Sequence, residues 1–126
     1  MKSWQLRVKK HFDAAHKLRD YDGPCANLHG HRWDVEVELE VHELRSDGLA
    51  VDFKVIKGIM NSILPDHTYL NDWMPENPTA ENVAQKLYHL LCKCRVDEAF
   101  DVKVRSITVW ESPECSVTYK EGREDA

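Results

Sequence analysis

His29-Gly30-His31-Arg32-Trp33-Asp34-Val35-Glu36-Val37-Glu38-Leu39-Glu40-Val41 alternates residue by residue. Val35, Val37, Leu39 and Val41 share one parity; Asp34, Glu36, Glu38 and Glu40 share the other. Successive strand side chains point to opposite faces, so this period of two predicts a strand with one covered face and one polar face. Carried backwards, the apolar parity takes in Trp33, His31 and His29. Both imidazoles are then expected on the covered side, provided the register does not slip at Gly30.

The segment before it alternates as well. Trp4, Leu6, Val8, Phe12, Ala14 and Leu18 occupy even positions, and Arg7, Lys9, His11 and Asp13 odd ones. His16 falls on the apolar parity. It would arrive from the strand on the other side of the Gly23-Pro24 loop, so all three histidines are expected on the same side of a sheet.

Further along, Ser46-Asp47-Gly48 reads as a turn, followed by a short extension Leu49-Ala50-Val51. Asp52 is an expected N-cap. Phe53, Ile56, Ile59, Met60, Ile63 and Leu64 then recur at helical spacing until Pro65. Residues 66–77 read as a loop between Pro65 and Pro78, with Pro75 inside it. Thr79 is the next expected N-cap, and Val83, Leu87, Leu90 and Leu91 mark a helix running to about Arg95. Two strands follow, 102–111 and 115–119, joined by Ser112-Pro113-Glu114. The apolar parity changes between Val104 and Ile107, which a bulge or burial on both faces would explain. The order strand, strand, helix, helix, strand, strand predicts an α+β domain: a four-stranded antiparallel sheet with two helices on one face. The far face would carry Arg7, Lys9, His11, Glu36, Glu38 and Glu40. Two strand edges are left open, which oligomerisation would protect.

The chain has 126 residues and a net charge of −5, enough for one domain. Residues 1–120 are read as that domain and 121–126 as a polar tail. The acidic balance, with a pI near 5.8, argues against a nucleic-acid partner. No apolar run approaches the ~20 residues that cross a bilayer, and residues 1–7 lack the apolar stretch of a signal peptide. A cytoplasmic protein is expected, with Cys25, Cys92, Cys94 and Cys115 as free thiols.

Catalytic zinc commonly takes three protein ligands and keeps a fourth position open. His16, His29 and His31 on one covered face suit that donor set, and buried imidazoles need a partner in any case. Cys25 lies four residues before His29. Spacing leaves two roles open for it. As a fourth zinc ligand it would make the site structural, in a protein that need not be an enzyme. As a catalytic thiol it would act as base or nucleophile. Asp66-His67 could be an oriented proton-relay pair or a solvated loop pair. Glu111 could hold a cationic or amidine-like ligand edge, or be an ordinary strand-end carboxylate. Cys92 and Cys94, two apart on a helix, do not share a face and are read as packing residues. His11, His42 and His89 lack ligand spacing.

Taken together, Phe12-Asp-Ala-Ala-His16-Lys-Leu18, Cys25 through His31, Gly48-Leu-Ala-Val51-Asp52-Phe53, Asp66-His67 with Leu70-Asn71, Pro78-Thr79-Ala-Glu81-Asn82 and Glu111 form a set. That set resembles the 6-pyruvoyl-tetrahydropterin synthase family, and within it the bacterial 6-carboxytetrahydropterin synthase branch of queuosine biosynthesis. The resemblance spans about residues 5–120. It implies the tunnelling fold, with sheets of three subunits closing into a barrel, two trimers stacking as a homohexamer, and active sites between subunits. It implies Zn²⁺ on His16, His29 and His31, with Cys25 as catalytic base. His67 is implied as its relay partner, beside Asp66. Glu111 is implied as the anchor of the pterin ring, and Thr79 and Glu81 as part of the pterin pocket. The implied activity is a zinc-dependent lyase reaction. It would turn 7,8-dihydroneopterin triphosphate into 6-carboxy-5,6,7,8-tetrahydropterin, acetaldehyde and triphosphate. The alternative branch eliminates triphosphate without cleaving the side chain. The short spacing from Cys25 to His29 is similar to the queuosine branch. Lys17, Arg19, Arg32 and Lys54 are candidate triphosphate contacts.

Overall fold

In the computed structural model, which describes residues 2–94 and 102–122, β1 (Trp4–His16) and β2 (His29–Val41) pair antiparallel without a shift. Trp4 stands opposite Val41 and His16 opposite His29. Gly30 sits opposite Ala15, so the register does not slip there. Phe12, Ala14, His16, Trp33, Val35, Val37, Leu39 and Val41 are buried, as the parity requires.

The helices begin at their expected caps. The Asp52 carboxylate accepts from Lys54 N at the start of α1 (Phe53–Ile63), and Ile56 and Met60 are its fully buried residues. A separate turn of helix, α2, spans Leu70–Trp73. Thr79 accepts from Asn82 N at the start of α3 (Ala80–Lys93). The expected helix end at Arg95 lies outside the described residues. Helix α3 buries Val83, Ala84, Leu87 and Leu91 and packs on the last two strands, while α1 packs on β1 and α3. No helix among the described residues is long and apolar enough to cross a membrane. Gly48 closes the expected turn with φ +86, a left-handed value that L residues adopt at a cost.

The expected four-stranded antiparallel sheet needs correction. Among the described residues the sheet has five strands, with β3 (Thr68–Tyr69), β4 (Lys103–Ser112) and β5 (Cys115–Tyr119) joining the first two in the order β3-β1-β2-β4-β5. The addition is β3, which runs parallel to β1 beside Ala14 and Ala15, so the sheet is mixed. Among the described residues there are three α-helices, because α2 also falls in the segment read as a loop. Two strand residues cannot display a period, and one turn of helix cannot display a stripe. Tertiary contacts fix both: His67 N donates to the Asp13 carbonyl at 2.7 Å, and Leu70 is fully buried. In β4, Ser106 pairs with Glu38 but Val104 with Leu39, leaving Arg105 as the extra residue of a bulge. That accounts for the parity change, with Ser106 and Ile107 both buried.

On the far face Arg7 lies opposite Glu38, 3.2 Å from its carboxylate. Such exposed pairs contribute at most ~1 kcal/mol. The core carries the stability. Phe12 and Trp33 face each other across β1 and β2 with rings 5.8 Å apart and nearly parallel. Phe12→Ala is expected to lower unfolding free energy by about 3–5 kcal/mol. Urea titration at fixed protein concentration measures it, and a change under ~1 kcal/mol would contradict this packing.

Candidate metal centre

The β1–β2 register delivers three imidazoles to one place. His16 faces His29 directly, and His31 stands one pleat along, opposite Ala14. Glu111 comes from β4, where a second irregularity leaves it without a partner: Trp110 pairs with Ser116 and Ser112 with Cys115. A bulge at that point can re-aim a side chain. The donor atoms of His16, His29, His31 and Glu111 all lie within 4.8 Å of one another.

Each ring is held by its other nitrogen. His16 Nδ1 donates to the Pro78 carbonyl at 2.8 Å, His29 Nδ1 to that of Asn27 at 2.8 Å, and His31 Nδ1 to that of Arg32 at 3.1 Å. A carbonyl can only accept, so each Nδ1 carries the proton. In the neutral rings every Nε2 is then a lone-pair donor to a metal. His16 Nε2 and His31 Nε2 approach to 3.4 Å, with a Glu111 oxygen 3.7 Å from the first and 4.0 Å from the second. Lone pairs facing each other beside a carboxylate call for a cation. Two zinc–nitrogen bonds of ~2.0–2.1 Å at a tetrahedral angle separate their nitrogens by ~3.3 Å, so the donor set fits zinc.

Burial pushes the pKa of His16 below the ordinary histidine value, helped by neighbouring His29 and opposed by the Pro78 carbonyl and Glu111. His16 is 1% exposed. Between the lowered value and the ordinary ~6.5, the unfolded chain takes a proton that the metal-free fold does not. The metal-free protein should therefore lose thermal stability as pH falls below about 6.5, and His16→Gln should lose less. Melting curves at pH 7.5 and 5.5 measure this; equal losses in both proteins would contradict it.

Cys25 lies in a short 3₁₀ turn, Pro24–Ala26, and is half-buried. It is not part of the four-residue donor cluster. Leu18 N donates to the Cys25 carbonyl at 2.8 Å. Asp66 and His67 form a built pair, with His67 Nδ1 2.9 Å from Asp66 Oδ2. Asp66 Oδ1 accepts from Asp13 N at 2.9 Å. That backbone bond, with His67 next, holds the Asp66 carboxyl below the usual carboxylate range. His67 takes a left-handed φ of 57, uncommon for a residue with a Cβ. Its side chain is 80% exposed, and it makes no hydrogen bond to Cys25 within the chain.

Thr79 follows the carbonyl that anchors His16, and its own hydroxyl caps α3. Glu81 is exposed in the first turn. Among the candidate triphosphate contacts, Arg32 forks onto the Asp13 carboxylate at 3.0 and 3.3 Å. Arg19 holds the Pro75 carbonyl at 2.6 Å. Lys17 and Lys54 are exposed. Sequence reading missed the Arg32–Asp13 pair, although the β1–β2 register places the two opposite each other. It also missed the backbone carbonyls behind the histidines, which no residue type signals.

The sequence profile of the 6-pyruvoyl tetrahydropterin synthase family matches residues 5–122. The 6-carboxy-5,6,7,8-tetrahydropterin synthase of Synechocystis sp. is 29% identical over 124 residues, 92% of each chain. The enzyme of the same name from Haemophilus influenzae is 28% identical over 137 aligned positions, 87% of this chain and 94% of that one. Among solved structures, the 6-pyruvoyl tetrahydropterin synthase of Caenorhabditis elegans superposes with a TM-score of 0.83 at 24% identity, covering 97% of this chain and 98% of that one.

Proposed function

The chain belongs to the 6-pyruvoyl tetrahydropterin synthase family, and from that premise we propose that it is a 6-carboxytetrahydropterin synthase using one zinc ion per subunit. Its substrate would be 7,8-dihydroneopterin triphosphate. With one water consumed, the products would be 6-carboxy-5,6,7,8-tetrahydropterin, acetaldehyde and triphosphate. The observation that carries this reading is the convergence of three Nε2 atoms whose Nδ1 protons are all committed to backbone carbonyls. The names of the relatives support the carboxy- branch.

Zinc held by His16, His29 and His31 would supply Lewis acidity toward a substrate hydroxyl. The remaining work falls to side chains. Cys25, outside the donor cluster, serves as the base that moves side-chain protons. His67, with Nδ1 committed to Asp66, offers Nε2 for taking and returning a proton. Glu111 accepts from the amino and ring N–H groups of the pterin, beside the pocket segment of Thr79 and Glu81. No disulfide is formed among the described residues, which suits a reducing, cytoplasmic setting.

His67 and Cys25 share no hydrogen bond within one chain, and the reading requires that they meet across subunits of a homohexamer. The outer edge of β5 and the β1 edge before Ala14, which β3 does not cover, are available for strand pairing. Cys25→Ala and His67→Ala proteins, each severely impaired alone, should regain turnover when unfolded together and reassembled. Failure of correctly assembled mixtures to regain any turnover would contradict the shared site.

Product analysis tests the reaction. Zinc-loaded protein with 7,8-dihydroneopterin triphosphate should release acetaldehyde and triphosphate in equal amounts. Triphosphate release with an intact three-carbon side chain would instead assign the pyruvoyl-type reaction.

A further inference from the structure

Beyond β1, Lys17 and Leu18 belong to no strand and Arg19 opens a bend. Two asparagine side chains take a strand's place. Asn71 Oδ1 accepts from Lys17 N, and Asn71 Nδ2 donates to the Lys17 carbonyl, both at 3.0 Å. Asn77 repeats the pattern two residues on, accepting from Arg19 N at 2.8 Å and donating to the Arg19 carbonyl at 3.1 Å. Each carboxamide thus makes the pair of bonds that a neighbouring strand residue would make. Leu18, between the two clipped residues, donates its N–H to the Cys25 carbonyl at 2.8 Å.

The clips are themselves anchored. Asn71 lies in α2, one residue after fully buried Leu70. The Asn77 carbonyl accepts from Asn82 Nδ2 at 2.9 Å and from Thr79 N at 2.8 Å, tying it to the start of α3. Helix α2 and the start of α3 are linked through two carboxamides to Lys17 and Arg19, and through Leu18 to the turn that carries Cys25. His16, one residue earlier, donates to Pro78, one residue after Asn77. The same two segments therefore fix a metal-ligand candidate and the thiol's turn.

We propose that Asn71 and Asn77 are positioning residues that set Cys25 for turnover. This rests on the reading of Cys25 as the catalytic base. The clip bonds are exposed at the surface, so their loss weakens the fold little, while an error of about 1 Å at a reacting group can cost on the order of 100-fold in rate.

The test uses the assembled, zinc-loaded protein carrying Asn71→Ala and Asn77→Ala together, with Asn77→Ala alone as a milder variant. Amide exchange over residues 17–26, zinc content, kcat and KM are measured. The expected result is faster exchange at Leu18, unchanged zinc content, a kcat lower by about 10- to 100-fold and a KM within about threefold. In a Cys25→Ala background, the asparagine changes should lower residual turnover no further. Faster exchange with unaltered kcat would overturn the proposal and leave the role of Cys25 intact. Full turnover in Cys25→Ala alone would instead overturn the reading of Cys25 itself. If the double variant fails to assemble, Asn77→Ala decides by the same readouts, with a smaller change in the same direction expected.

Discussion

Replacing His29 with alanine is expected to empty the metal centre and lower turnover by roughly 10³-fold or more. The magnitude follows from a metal's several kcal/mol of charge stabilisation, each 1.36 kcal/mol being tenfold in rate. His29 is the better choice for this test than His16. His16 is 1% exposed and packs against Trp33 with ring centres 4.8 Å apart, so its removal would also open a cavity. His29 is half-buried, and its Nδ1 partner is the nearby Asn27 carbonyl. The fold should therefore survive its loss. Loss of an outer-shell partner typically lowers metal affinity 10- to 100-fold, and a direct ligand should exceed that. Zinc counted per chain after dialysis, with turnover measured on the same sample, checks the expectation. Retention of one zinc per chain in His29→Ala would remove this residue from the donor set.

Cys25→Ala is expected to behave in the opposite way on the metal and the same way on the rate. Zinc should remain at one per chain, because Cys25 stands outside the cluster of His16, His29, His31 and Glu111. Turnover should fall by about 10²–10⁴-fold, the usual contribution of a positioned acid or base. Zinc loss together with activity would make the thiol a ligand and the centre structural.

Much of this site was legible because strands write their register into sequence. A single parity places His16 beside Trp33 and His31, and the pairing runs from Trp4 to His16 without a slip. The caps Asp52 and Thr79 were legible for a related reason, since one side-chain oxygen reaches one backbone N–H at a fixed offset. What escaped has no such signature. β3 and α2 are too short to show any period. Three backbone carbonyls set the histidine tautomers, and every residue has a carbonyl. Asn71 and Asn77 look like ordinary loop polar residues until the chain they clip is in place. Arg32 sat among the triphosphate candidates, yet Asp13 faces it across β1 and β2 and raises its pKa through a paired hydrogen bond.

Glu111 illustrates a mixed case. Strand parity puts it on the side of Ile107 and Val109, and the β4–β5 irregularity leaves it free to lean toward the imidazoles. Its carboxylate can complete the metal's donor set or hold a pterin edge. In the proposed reading it does the second, so Glu111→Gln should keep zinc and raise KM for substrate.

X-ray absorption at the zinc edge of the unsubstituted, zinc-loaded protein tests the central claim most directly. Three imidazoles with an open position predict a shell of nitrogen and oxygen scatterers at about 2.0–2.1 Å and no sulfur. A sulfur scatterer at about 2.3 Å would put Cys25 on the metal and contradict the account.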